Sequence, residues 1–233
     1  MASVRRRAGE KGAGTGAPAT RRGTTYRPGR STRDAIVRAA ETVLIEHGHA
    51  QFSVQRVAAQ VGISSGNLNY YFSTRAALLE ALILHILARY RRRARARART
   101  RRAGLPAEFD AVLDWLMEDS LDPNVARLFR QLWAIAASDA RVAAAMDRFY
   151  LRSVRGHLRL LGVRPARTPE YRELEAIMCL MHVISEGTIV LFGTRRRARA
   201  LFKRVRSAAE RAVADLVARA ALPGGQGRES RPG

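Results

Sequence analysis

Apolar residues recur in this chain at steps of three and four over most of its length. Ile36, Ala39, Ala40, Val43 and Leu44 fall on one face of a helix. Ser31 with Asp34 predicts the start of that helix as a capping box, and Gly48 predicts its stop. Val54, Val57, Ala58 and Val61 make a short amphipathic run behind Ser53, and Leu68, Tyr71 and Phe72 make another behind Ser64. The same spacing predicts helices over 106–119, 123–138, 139–162, 168–192 and 196–221. The last carries one stripe of Leu201, Val205, Ala208, Ala209, Ala212, Val213, Leu216 and Ala220. No stretch sustains period-two alternation, so the expected fold class is all-α.

The two short runs meet at Gly62, a residue suited to the left-handed turn that ends a helix. Ala58, four residues before it, lets two helices cross closely; Leu68, six residues after it, fills the angle between them. That is the spacing of a helix-turn-helix, whose second helix enters the major groove by its N-terminal residues. Ser65, Gly66, Asn67, Asn69 and Tyr70 then face outward as small, uncharged hydrogen-bonding groups and one aromatic. They suit base edges and phosphates, and a bidentate Asn–adenine contact carries about 1–3 kcal/mol of discrimination.

Charge strengthens this reading. The chain of 233 residues has 42 Lys and Arg against 20 Asp and Glu, a net charge of +22. Residues 1–30 hold eight basic and one acidic side chain, and residues 31–103 hold thirteen and four, so the first 103 residues carry +16. An anionic partner follows. Residues 1–30 and 223–233 lack large apolar side chains and are expected to be a disordered basic arm and a disordered tail. Arg21, Arg22, Arg27 and Arg30 directly precede the first helix, within reach of a DNA backbone or minor groove. The arginine run over 89–102 is expected to be a solvated, self-repelling helix end and interdomain link.

Other chemistries fit less well. Gly62-Ile63-Ser64-Ser65-Gly66 matches a hydrolase nucleophile elbow, but that motif needs a preceding strand and here follows a helix. His47 and His49 lack the further ligands of a metal site, so no metal, cofactor or catalytic residue is expected. The single cysteine, Cys179, excludes an internal disulfide and fits a reducing compartment. The start lacks a signal-peptide core, and the longest apolar runs are shorter than the ~20 residues of a span. A cytoplasmic protein without membrane association is expected.

The stretch SVQRVAAQVGISSGNLNYYFSTRAALLEAL resembles the DNA-binding domain of TetR-family transcriptional regulators. Ala58, Gly62, Ile63, Ser64, Gly66, Leu68, Tyr70, Phe72, Ser73, Arg75, Leu78 and Leu79 carry the resemblance over about residues 31–82. Asn69 stands where the family usually has a tyrosine, and Arg75 where it has a phosphate-binding lysine. The resemblance implies a helix-turn-helix domain over 31–78, a connecting helix and arginine-rich link over 79–103, and a helical ligand-binding and dimerisation domain over 104–222. It further implies a homodimer through the two C-terminal helices, a palindromic double-stranded DNA operator, and a repressor released by a small hydrophobic or amphipathic effector. Half-sites would lie ~34–36 Å apart. A ligand-independent or activating regulator and a nonspecific architectural nucleic-acid binder are the alternatives. The DNA-binding candidates are Arg30, Ser53, Ser64, Ser65, Gly66, Asn67, Asn69, Tyr70, Tyr71 and Arg75.

Ligand contacts have no motif to carry over. Shared helix faces and adaptable side chains nominate Phe109, Leu113, Met117, Phe129, Trp133, Phe149, Met178 and His182. His182 lies within IMCLMHVI and must find a hydrogen-bond partner there, whether in the core, a dimer mate or a ligand.

Overall fold

The computed structural model describes residues 28–98, 104–193 and 199–221; the expected arm before Pro28, the link over 99–103 and the tail over 223–233 lie outside them. The described residues form nine α-helices and no strand. The N-terminal unit is α1 (Pro28–His47), a 3₁₀ turn (His49–Gln51), α2 (Val54–Val61) and α3 (Ser65–Tyr71). The long α4 (Arg75–Ala98) leads from it to α5 (Leu105–Ser120), α6 (Pro123–Ala136), α7 (Ala140–Leu160), α8 (Pro169–Leu191) and α9 (Arg199–Ala221).

Two starts differ from the sequence expectation. α1 begins at Pro28, so Ser31 and Asp34 lie inside the helix and do not cap it. Proline's fixed φ and missing N–H suit the first helical turn, which moves the start upstream. α4 begins at Arg75, two residues beyond Ser73, where Thr74 Oγ1 accepts from the Ala77 N–H at 3.0 Å. The later helices start on caps the periodicity did not reveal: the side chains of Asp122, Asp139 and Thr168 accept backbone N–H bonds at α6, α7 and α8.

One core runs without a break from the N-terminal unit into the front of the C-terminal one. Ile36, Leu44, Val57, Leu68 and Leu79 pack into a cluster that continues through Ile86 and Tyr90 to Phe129 and Phe149. A second cluster joins α5, α7, α8 and α9 through Phe109, Leu113, Met117, Leu158, Met178, Met181, Val213 and Val217. α8 is long and apolar enough by composition to cross a membrane, but its Leu174, Ile177, Met178 and Met181 are buried in this second cluster. The predicted α9 stripe divides: Val213 is buried, Ala209, Leu216 and Ala220 are partly buried, and Leu201, Val205, Ala208 and Ala212 face outward. A stripe that wide covers more than one face of a single helix.

The described arginine-rich part of α4 is solvated at most positions, as its composition suggested, but one stripe of it is paired. Tyr90 and Ala94 are buried, and Arg89, Arg93 and Arg97, at four-residue spacing, each find a partner. Arg89 Nη1 donates to Glu41 at 2.7 and 3.0 Å, Arg93 Nη1 to Asp119 at 2.7 Å, and Arg97 lies over the Trp115 ring at 5.1 Å. Partners distant in sequence thus absorb one stripe of charge. The other stripe, with Arg91 and Arg95, remains exposed.

Candidate nucleic-acid interface

The helix-turn-helix is built from local signals. Ser53 Oγ accepts the Arg56 N–H at 3.2 Å to start α2. Gly62 ends it in the left-handed region, φ 76° and ψ 33°, with the Ile63 N–H returning to the Ala58 carbonyl at 3.1 Å. Ser64 Oγ then accepts the Asn67 N–H at 3.1 Å to start α3. Each capping hydroxyl accepts its bond and keeps its own proton to donate, for which a phosphate oxygen is a suitable acceptor.

Leu68 is fully buried and Phe72 nearly so, which fixes the rotation of α3 about its axis. The opposite side presents Gly66, Asn67, Asn69 and Tyr70 to solvent, with Tyr70 84% exposed. Ser65 and Tyr71 are half-buried, and Tyr71 meets Tyr70 edge-on at 5.3 Å between centroids. α3 carries no charged residue, so the polar groups of its exposed face are uncharged. The side chain of Arg30 lies outside the described residues.

Arg75 is half-buried and held in place. It lies over the Phe52 ring at 5.5 Å and donates from Nη2 to the His49 carbonyl at 3.4 Å. His49 in turn meets the C-terminal unit: Gln131 Oε1 on α6 accepts its backbone N–H at 2.7 Å and lies 2.6 Å from its Nδ1. The His47/His49 pair therefore includes a docking contact 82 residues away in sequence, which no local pattern could indicate.

The ligand candidates fall into three settings. Phe109, Leu113, Met117 and Met178 are closed into the second cluster. Phe129, Phe149 and His182 line a small central cavity of about 20 Å³, together with Tyr90, Tyr150 and Glu186. Trp133 is 41% exposed; it stacks on Tyr150 and donates from Nε1 to Glu186 at 3.2 Å. The Tyr150 hydroxyl donates to the other Glu186 oxygen, and Tyr90 donates to Asp119. Burial raises the Glu186 carboxyl above the usual carboxylate range, while the bonds from Tyr150 and Trp133 oppose that rise.

His182 finds its partners within the fold. Its Nδ1 donates to the Met178 carbonyl at 2.9 Å, leaving Nε2 to accept from Ser153 Oγ at 3.0 Å. Burial lowers its pKa, against the pull of the Met178 bond. A second buried histidine, His157, was not singled out by the sequence. Burial, and then the neighbouring His182, push its pKa down to about 3, and its Nδ1 has no hydrogen-bond partner among the described residues. His157 lines a larger pocket of about 320 Å³ with Ala94, Val112, Trp115 and Leu161.

A capped helix-turn-helix with an exposed, uncharged α3 face is joined by one long helix to an all-α unit holding a pocket. Residues 36–82 match the model of the family described as bacterial regulatory proteins, tetR family. No curated protein matches it in sequence. Among solved structures, it is similar to Salmonella enterica GusR at 20% identity, covering 84% of this chain and 100% of that one, with a TM-score of 0.60. A protein described as a TetR-family transcriptional regulator from Mesorhizobium loti is 16% identical, with 81% and 98% covered and a TM-score of 0.62. FadR from Bacillus subtilis, solved in complex with stearoyl-CoA, is 17% identical, with 79% and 96% covered and a TM-score of 0.54. These likenesses extend the shared fold beyond the matched domain.

Proposed function

We propose that the chain is a homodimeric repressor that reads a pseudo-palindromic operator through Asn67, Asn69 and Tyr70 and is released by a small hydrophobic or amphipathic effector. In this reading Ser53, Ser64, Ser65, Gly66, Tyr71, Arg75 and Arg30 position the backbone phosphates. Residues 31–78 bind DNA, 79–103 connect, and 104–222 bind effector and partner. The observation that carries the coupling is the double role of α6. Trp115, which lines the larger pocket, meets Tyr90 at 5.8 Å, Tyr90 meets Phe129 of α6 at 6.2 Å, and Gln131 of α6 reaches His49, whose carbonyl holds Arg75. A shift of α6 by one side chain's width therefore disturbs the phosphate contact directly.

The effector is assigned to the 320 Å³ pocket of α4, α5 and α7, whose volume suits a small organic ligand. His157 offers a buried, unpaired ring nitrogen there, which a ligand donor would satisfy. The stearoyl-CoA bound to the FadR structure supports a small ligand in this fold without identifying this one. The dimer is assigned to the outer faces of α8 and α9, where Leu180, Val183, Val190, Leu201 and Val205 are exposed side by side on two packed helices.

Sizing of the purified chain at micromolar concentration tests the assembly: a dimer that Val183→Asp converts to monomer is expected. A monomer from the unmodified chain contradicts it. An effector is then sought as the compound that raises the operator Kd at least tenfold and no longer does so in a Trp115→Ala variant. An effector that acts equally on that variant places the site elsewhere.

A further inference from the structure

α7 turns Arg152, Arg155 and Arg159 toward the exposed stripe of α4 that carries Arg91 and Arg95, and the five line one open groove of about 410 Å³. Of these five arginines only Arg155 has a carboxylate partner among the described residues, Glu175 at 3.1 Å. The contrast with the other stripe of the same helix is informative. Arg89 and Arg93 each meet an acid, whereas Arg91 and Arg95 face more arginines. Like charges set across a groove repel, and burial of apolar surface does not require them there. Gly156 lies between Arg152 and Arg159 in the interior of α7, where glycine is unfavourable for a helix. A β-carbon there would meet nothing within 4 Å, so the floor of the groove is open.

The geometry points to a binding site for a compact polyanion of the phosphoanhydride class, clamped between α4 and α7. Guanidinium groups present paired donors that match phosphate oxygens, and five of them supply the counter-charge for a di- or triphosphate. The groove volume is that of a small-molecule site. Arg91 lies sixteen residues beyond Arg75 along a continuous helix, ~24 Å from the end beside the reading helix, so the DNA held by α3 is not its occupant. The site meets the proposed effector pocket only at Leu160, which lines both, and its test reads binding itself and not release from DNA.

Calorimetric titration of the full chain with inorganic triphosphate at about 0.15 M salt, where diffuse surface charge is screened, tests the assignment. One saturable site per chain is expected. Arg95→Ala with Arg159→Ala should weaken it at least tenfold while leaving duplex DNA affinity within twofold. Gly156→Leu, which keeps every charge, fills the floor and favours the helix, should weaken it at least fivefold. That steric variant stays informative even if the double variant melts early. Absence of saturable binding at millimolar triphosphate would overturn the proposal. So would a Gly156→Leu variant that binds as before, since the attraction would then be diffuse charge alone. Loss of DNA affinity in the arginine variants, with triphosphate binding unchanged, would make the groove a DNA surface instead.

Discussion

The helix-turn-helix unit and the C-terminal unit handle polar groups in opposite ways. In the helix-turn-helix unit, most polar side chains of α2 and α3 are exposed, and Ser53 and Ser64 cap their own helix within three residues. In the rear unit they are buried and paired across the chain: Ser153 with His182, Ser120 with Ser185, and Tyr150 with Glu186. An exposed group can be exchanged without a stability penalty and remains free to meet DNA. A buried group binds its neighbours to one arrangement, and its loss leaves a partner unsatisfied. Specificity for DNA and stability of the rear unit are therefore separable by mutation.

Six substitutions test that separation. The largest effect is expected from acid on the rear unit. His157 titrates at about 3 in the fold against an ordinary 6.5, so the unfolded chain takes up its proton first as pH falls. Stability is full above about 6.5 and is lost at about 1.4 kcal/mol per unit down to about 3, with His182 acting in the same direction. Denaturant unfolding across that window should show the slope, and His157→Gln should flatten it. A slope unchanged in the variant would remove His157 as its source.

Leu68→Ala comes next, with a loss of about 2–5 kcal/mol, because the fully buried side chain fills the angle between α2 and α3. Operator affinity should fall with it, while the rear unit keeps its near-ultraviolet circular dichroism; collapse of both together would join the two regions. Asn67→Ala or Asn69→Ala should leave stability unchanged and reduce base discrimination by about 1–3 kcal/mol, read by competition between operator and point-substituted duplexes. Arg75→Ala, by contrast, should weaken all duplexes alike and reduce the salt slope by about one. The smallest change is Ser64→Ala, about 1 kcal/mol of helix stability measured by denaturant unfolding.

The same division explains what the sequence disclosed. Gly62, Ser53, Ser64 and Leu68 announce the helix-turn-helix because each acts on neighbours within a few residues, and the structure places each of them as expected. Asn67, Asn69 and Tyr70 follow from the same register. The rear unit's helices were legible from periodicity, but its contacts were not. Trp133 has the spacing of a core residue and lies at the surface, because Glu186 and Tyr150 hold it there. His157 follows Arg155 and Gly156 and stands two residues before Arg159, yet it is buried because α5 covers it with Trp115. The arginines of α4 look uniform as letters; Glu41 and Asp119, 48 and 26 residues away, divide them into two stripes.

The central claim is that exposed, uncharged residues of α3 choose the DNA sequence while arginines supply affinity. Selection of bound fragments from a random duplex library, run with the unmodified chain and with Asn67→Ala/Asn69→Ala, tests it most directly. An enriched pseudo-palindromic site is expected for the unmodified chain, and for the variant a loss of preference at defined positions with nonspecific affinity retained. An unmodified chain that enriches no sequence, or a variant that enriches the same one undiminished, would contradict it.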